Sequence, residues 1–184
     1  MKIAGIVIAK ANSNRFPGKN VYKVDGRPMF FHAVEVLKNT KNPIDVCVAT
    51  NSDYIKTYCE RRHVKVIWRG ENISHDDQPI FDVLRFAYQS LIGSYGVIVM
   101  ILANTIGFHP ADVDKAVDVL VKNKLMEVRS YDLKGVENGI VVLRSEVMQK
   151  HEISTYVGAI FTTAAKEIHH EIEAYGMDSE ITSS

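Results

Sequence analysis

Two patterns of apolar positions alternate along the chain. Residues 2–9 (KIAGIVIA) are short, β-branched and almost wholly apolar, as expected of a strand covered on both faces in a parallel sheet. Residues 44–49 (IDVCVA), 64–68 (VKVIW) and 95–102 (YGVIVMIL) repeat that pattern. Between them apolar side chains recur at helical spacing. Phe30, Phe31, Val34 and Leu37 follow Pro28, and Ile55, Tyr58 and Cys59 follow Ser52 and Asp53, either of which can cap. Phe81, Leu84, Phe86 and Tyr88 follow Ser74, Asp76 and Asp77, and Val113, Ala116, Val117 and Leu120 follow Pro110. Strands alternating with helices predict an α/β fold with a mostly parallel sheet and right-handed crossovers. The last third is less regular. Residues 139–143 (GIVVL) and 156–161 read as strands, 167–174 as a final helix, and the Ser-rich tail as loose.

Composition narrows the class. The 184 residues fit one domain, typically ~100–200 residues long. The 22 Lys+Arg balance 22 Asp+Glu, which argues against a general nucleic-acid binder. No apolar run approaches the ~20 residues of a membrane span, and the start lacks the pattern of a signal peptide. Cys47 and Cys59 read as buried thiols of a reducing, cytoplasmic compartment rather than as a disulfide.

The neutral total conceals a local imbalance. Residues 10–20 (KANSNRFPGKN) hold three cations, Lys10, Arg15 and Lys19, and no acid; Lys23 and Arg27 extend the run against one acid, Asp25. This segment leaves the first buried strand, and open α/β sheets bind ligands outside the carboxyl ends of their strands. Asn12, Ser13, Asn14 and Gly18 permit tight turns that bring backbone N–H groups to an anion. Cations together with backbone donors suit a triphosphate, whose charge must be neutralised before its α-phosphate becomes electrophilic. Neither G-x-x-x-x-G-K-[ST] nor G-x-G-x-x-G occurs there.

The run from Ile8 to Asn20 resembles the nucleotide-binding signature of the cytidylyltransferases that activate acidic sugars: the CMP-sialic acid synthetases and their relatives for KDO, legionaminic and pseudaminic acids. That signature reads approximately I-P-A-R-x-G-S-K-R-x-P-x-K-N. Ala9, Ser13, Arg15, Pro17, Lys19 and Asn20 match it, whereas Ile8, Lys10, Asn12 and Asn14 depart from it. Residues 26–29 (GRPM), 48–53 (VATNSD), 76–84, 102–105 (LANT) and 110–114 resemble later family segments in order. The resemblance covers residues 1–122 well and implies a single nucleotidyltransferase domain, with a nucleotide half over about 1–122 and a shortened sugar and dimerisation half over about 123–184. The implied architecture is a three-layer α/β sandwich with a mostly parallel, Rossmann-like central sheet, GT-A-like. The implied reaction joins CTP and an acidic sugar to give CMP-sugar and pyrophosphate, with Mg²⁺ as cofactor and a homodimer as the family's assembly.

Residue by residue, the resemblance makes Lys10 and Lys19 the triphosphate clamp, with Lys19 stabilising the pentacoordinate phosphate. Arg15 becomes a further phosphate contact, and Ala9, Ser13, Asn14 and Asn20 complete the nucleotide site. Asp77 stands where the family contacts ribose or base, with first-turn acid as the alternative, and Asn104 where it contacts substrate, with turn residue as the alternative. The family's late E-I-D-x-x-x-D metal motif is met by residues 167–173 (EIHHEIE), leaving Glu167 and Glu173 as carboxylates, with His169 in place of an Asp. Helix capping accounts for Asn51, Asp53 and Asp76, dipole complementation for Asp112 and Asp114, and an exposed loop for His109. Two further readings stay open: a non-catalytic nucleotide- or sugar-binding homologue or partner subunit, and a same-fold nucleotidyltransferase with another base or acceptor.

Overall fold

The computed structural model describes residues 1–11, 17–75, 77–150 and 156–168. In chain order the first half forms β1 (Ile3–Ile8), the short pair β2 (Lys23–Val24) and β3 (Arg27–Pro28), α1 (Met29–Lys38), β4 (Ile44–Thr50), α2 (Asp53–Glu60), β5 (Lys65–Trp68) and α3 (Ile80–Gln89). The second half adds β6 (Val97–Leu102), β7 (Thr105–Ile106), α4 (Pro110–Lys122), β8 (Glu127–Tyr131), β9 (Glu137–Arg144), α5 (Ser145–Lys150), β10 (Val157–Phe161) and β11 (Lys166–Glu167).

Seven strands make one sheet in the order β10-β8-β9-β6-β1-β4-β5. Every neighbouring pair is parallel except the two made by β9. β1 sits inside the sheet, with Ile8 level with Ala49 on one side and Leu102 on the other. The wholly apolar sequence of β1 follows from that position, since both faces are covered. Val7 and Val48 meet α1, α2 and α4 through Phe30, Val34, Leu37, Ile55, Val113 and Leu120. Ile6, Cys47 and Ala49 meet α3 and α5 through Leu84, Ala87 and Met148. The result is the expected three-layer α/β sandwich. Full burial of an aliphatic or aromatic side chain stabilises the fold by roughly 1.5–3 kcal/mol, so these two clusters carry most of its stability.

Local sequence explains the helix starts. Ser52 caps α2, its hydroxyl accepting from Ile55 N–H. His109 caps α4: its Nδ1 accepts from Ala111 N–H, while Asp112 accepts from His109 N–H. Pro28 and Pro79 occupy the cap positions of α1 and α3, so the cap of α3 is not Asp76, which lies outside the described residues. Asp114 does not serve the α4 dipole as expected. Its carboxylate accepts from Lys41 N–H at 3.0 Å, Asn42 N–H at 3.1 Å and the Asn42 amide at 2.7 Å, tying the turn after α1 to α4.

Besides the short β2–β3 pair and the 3-10 turns, three features of the fold depart from the sequence reading. β8 lies inside the sheet although it reads EVRSY, because its polar groups are paired: Arg129 with Glu127 and Glu137, and Ser130 Oγ with Ile140 N–H. α5 follows directly on β9. The third is β7–β11. The helix expected over 167–174 does not begin at Glu167. Lys166 and Glu167 instead pair antiparallel with Ile106 and Thr105, held there by bonds from Asn104. The remainder of that expected helix, with His169 and Glu173, lies outside the described residues.

Candidate active site

The parallel strands β1, β4, β5 and β6 all end at one edge of the sheet, and of the candidate residues Lys10, Lys19, Asn20 and Asn104 line one cavity there. The segment leaving β1 is anchored at both ends. Ala9 N–H bonds to Ala49 C=O at 3.0 Å. Ala11 N–H donates to Asn51 Oδ1 at 2.9 Å, so Asn51 anchors this loop rather than capping α2. At the far end Gly18, at φ 73°, opens a 3-10 turn over Lys19–Val21, a backbone conformation glycine adopts without strain. That turn buries Asn20, whose amide donates to Lys10 C=O at 2.9 Å. Residues 10 and 20 are thus stapled together, and the two lysines flanking the loop are brought to the same cavity.

The cavity measures about 160 Å³. Lys10, Lys19 and Asn20 line it from the loop, Ile8, Leu102, Ala103 and Asn104 from the strand ends, and Arg69, His75, Gln78, Ile80 and Val83 from the segment after β5. Arg69 is the residue sequence reasoning missed. Its backbone N–H bonds to Thr50 C=O, fixing it at the end of β5. The side chain is buried, with Nη2 donating to Ile73 C=O at 2.7 Å and Nε without a hydrogen-bond partner among the described residues. Burial pulls its pKa below the ordinary guanidinium value. A buried guanidinium with an unsatisfied donor is costly unless an acceptor or anion completes it. The rule that placed the β1 loop at the site, a position just past a strand's carboxyl end, also marks Arg69.

The other basic residues divide. Arg27 turns away and pairs with Glu35 at 2.6 Å, lining a separate cleft of about 290 Å³ beside α1 with His32, Asn39 and Phe108. Arg27 brings to that cleft a charge already paired with Glu35, whereas Lys10, Lys19 and Arg69 together line the smaller cavity. Asp77 is exposed, whereas its neighbours His75 and Gln78 line the cavity. Asn104 is buried, and its amide donates both to Glu167 Oε1 at 3.0 Å and to Ile168 C=O at 2.9 Å. Asn12, Ser13, Asn14 and Arg15 lie outside the described residues.

Among the described residues, no group of three or more His, Cys, Asp or Glu side chains could hold a metal ion. Glu167 offers one carboxylate, beside Asn104. A single carboxylate supplemented by substrate phosphates and water is a donor set that Mg²⁺ accepts.

The sequence matches the cytidylyltransferase family model over residues 4–171. The chain belongs to the cytidylyltransferase family. Among its relatives is the 3-deoxy-manno-octulosonate cytidylyltransferase of Bdellovibrio bacteriovorus, 42% identical over 73 residues, covering 40% of this chain and 30% of that protein. Another is the N-acylneuraminate cytidylyltransferase of Streptococcus agalactiae, 29% identical over 87 residues, covering 46% of this chain and 21% of that protein. The matched stretches thus span less than a third of those relatives. The fold is shared with the CMP:2-keto-3-deoxy-manno-octonic acid synthetase complexed with CTP, at a TM-score of 0.84 and 13% identity over 100% of this chain and 99% of that one. No helix among the described residues is long and apolar enough to cross a membrane.

Proposed function

We propose that this cytidylyltransferase couples CTP to an acidic sugar, releasing pyrophosphate and forming a CMP-sugar. The observation that carries the reading is the convergence of Lys10, Lys19 and the incompletely bonded Arg69 on one cavity at the strand ends. Three cations match a triphosphate, and backbone anchoring of the loop fixes two of them before the ligand arrives. The kinship with KDO and N-acylneuraminate enzymes supports the base and the class of acceptor.

In the reaction, the anomeric hydroxyl of the sugar attacks the α-phosphorus. A new P–O bond forms as the bond to the β-phosphate oxygen breaks; pyrophosphate carries away the electron pair, and the hydroxyl proton is released to water. The protein's part is positioning and charge neutralisation. Lys19 is placed to stabilise the charge on the pentacoordinate phosphorus, and Lys10 holds the triphosphate as a point charge without the bidentate fork of an arginine. Arg69 completes its hydrogen bonding on the nucleotide. Asn104 holds Glu167, the carboxylate that would carry Mg²⁺ against the phosphates. The bound ion would supply further neutralisation of the leaving pyrophosphate. At about 160 Å³ the cavity is below the ~300 Å³ at which whole-ligand pockets begin, a size that suits the base and part of the ribose, with the phosphates over the Lys10–Asn20 loop.

The test is pyrophosphate release with each of the four ribonucleoside triphosphates against a small panel of acidic sugars, with and without Mg²⁺. Release that requires CTP and one of the sugars supports the reading. Binding of CTP with no release for any pair would overturn it in favour of a non-catalytic homologue.

A further inference from the structure

The amides lining the cavity share a constraint. Asn20 and Asn104 give their NH₂ groups to protein carbonyl or carboxylate oxygens, and so does Gln78, whose Nε2 donates to Asp82 Oδ2 at 3.1 Å. For Gln78 the assignment is forced by chemistry, because an ionised carboxylate only accepts. Asp82 is held in place by Arg85, whose Nη1 donates to its other oxygen at 3.2 Å. Arg85 is in turn fixed by its Nε, which donates to Met148 C=O at 3.1 Å. This chain of bonds from α5 through α3 fixes the amide's orientation. Its carbonyl oxygen, Oε1, makes no hydrogen bond to a described residue and remains available to an occupant of the cavity.

The rest of the lining says which part of a nucleotide meets Gln78. Ile80 and Val83, on the same stretch of chain, form an apolar wall with Ile8 and Leu102, suited to the flat face of a base. Lys10, Lys19 and Arg69 present donors only, so they cannot distinguish an amino-bearing pyrimidine from its keto counterpart. Asn20 sits in the phosphate loop, and Asn104 faces Glu167. The geometry points to Gln78 as the base selector: its pinned Oε1 accepts a hydrogen bond from the exocyclic 4-amino group of cytosine and opposes the 4-oxo group of uracil. Asp82 acts on the base only through Gln78 and is a positioning residue. This inference rests on the nucleotide reading of the cavity and extends it to the choice between CTP and UTP.

The experiment is calorimetric titration of the full chain with CTP and with UTP, each with Mg²⁺, for the wild type, Gln78→Met and Asp82→Asn. The expected wild type prefers CTP, and Gln78→Met, similar in length but without an acceptor, lowers the ratio of the UTP to the CTP dissociation constant about tenfold, one good hydrogen bond's worth of discrimination. Asp82→Asn releases the amide to turn over and lowers the ratio by a smaller factor, with Gln78 itself intact. A merely structural role would weaken both nucleotides alike and leave the ratio unchanged. An unchanged ratio in Gln78→Met, or a wild type that binds CTP and UTP equally, overturns the selector while leaving the nucleotide site standing. A wild type that binds neither overturns the site and the selector together.

Discussion

Asn20 donates its side-chain amide to the main-chain carbonyl of Lys10 across 2.9 Å, closing the loop at its base. The bond is local in space and ten residues apart in sequence, and it makes one residue responsible for the relative placement of Lys10 and Lys19. Removing the donor in Asn20→Ala leaves Lys10 C=O without this bond and costs about 1–3 kcal/mol. Urea unfolding should show that loss, and CTP affinity should fall with it because the loop is no longer held closed. Asn20→Asp, an acceptor only when ionised, should behave like Asn20→Ala.

Arg69 separates binding from stability. Its guanidinium is buried, and its Nε has no hydrogen-bond partner among the described residues. Arg69→Met keeps most of the volume and removes the buried charge, so the loss of the Nη2 bond to Ile73 C=O is offset by relief of desolvation. Thermal unfolding should show a destabilisation of no more than about 1 kcal/mol, while CTP binding weakens at least about tenfold, the equivalent of one charge-assisted contact.

The cysteines are packing groups. Cys47 and Cys59 are free and buried, and burial pushes both thiols up to about 12. At pH 8 only about one native thiol in ten thousand is then ionised, so labelling by a thiol reagent should follow global unfolding. Because the folded pKa lies above the ordinary 9.0, the stabilisation linked to these thiols is complete below pH 9 and is lost as pH rises from about 9 to about 12. Urea midpoints measured across that window should fall, and Cys47→Ala should reduce the slope.

Asp114 links two helices through one carboxylate. Burial pushes its pKa up, but the N–H groups of Lys41 and Asn42 and the Asn42 amide outweigh that and hold it below the ordinary carboxylate value. Its contribution to stability is therefore present above the unfolded-state pKa near 3.8 and is lost as pH falls through the lower folded value. Asp114→Ala should cost about 2 kcal/mol at neutral pH, a difference that shrinks when the two proteins are compared in acid.

The strand-end edge of this fold is written locally, which is why it is legible in the sequence. β1 and β6 are apolar because they are buried on both faces, and Ser52 caps where capping chemistry predicts. The loop from Lys10 to Asn20 stands out as an acid-free basic stretch after the first strand. What escaped was written in pairs of distant residues. β8 looks polar until Arg129 is seen between Glu127 and Glu137. Glu167 looks like the start of a helix until Asn104 holds it in a strand beside Thr105. Asn51 looks like a cap until its oxygen is seen on Ala11 N–H. Arg69 carries no motif, and only its burial at a strand end beside the two lysines marks it as part of the site.

The proposed activity requires that the loop lysines hold a nucleoside triphosphate. Titration of CTP with Mg²⁺ into the wild-type chain and into Lys19→Ala tests it most directly. Measurable binding to the wild type, weakened by added salt, and a loss of about tenfold or more in a folded Lys19→Ala are expected when one phosphate-neutralising charge is removed. Equal CTP affinity in the two proteins would contradict it.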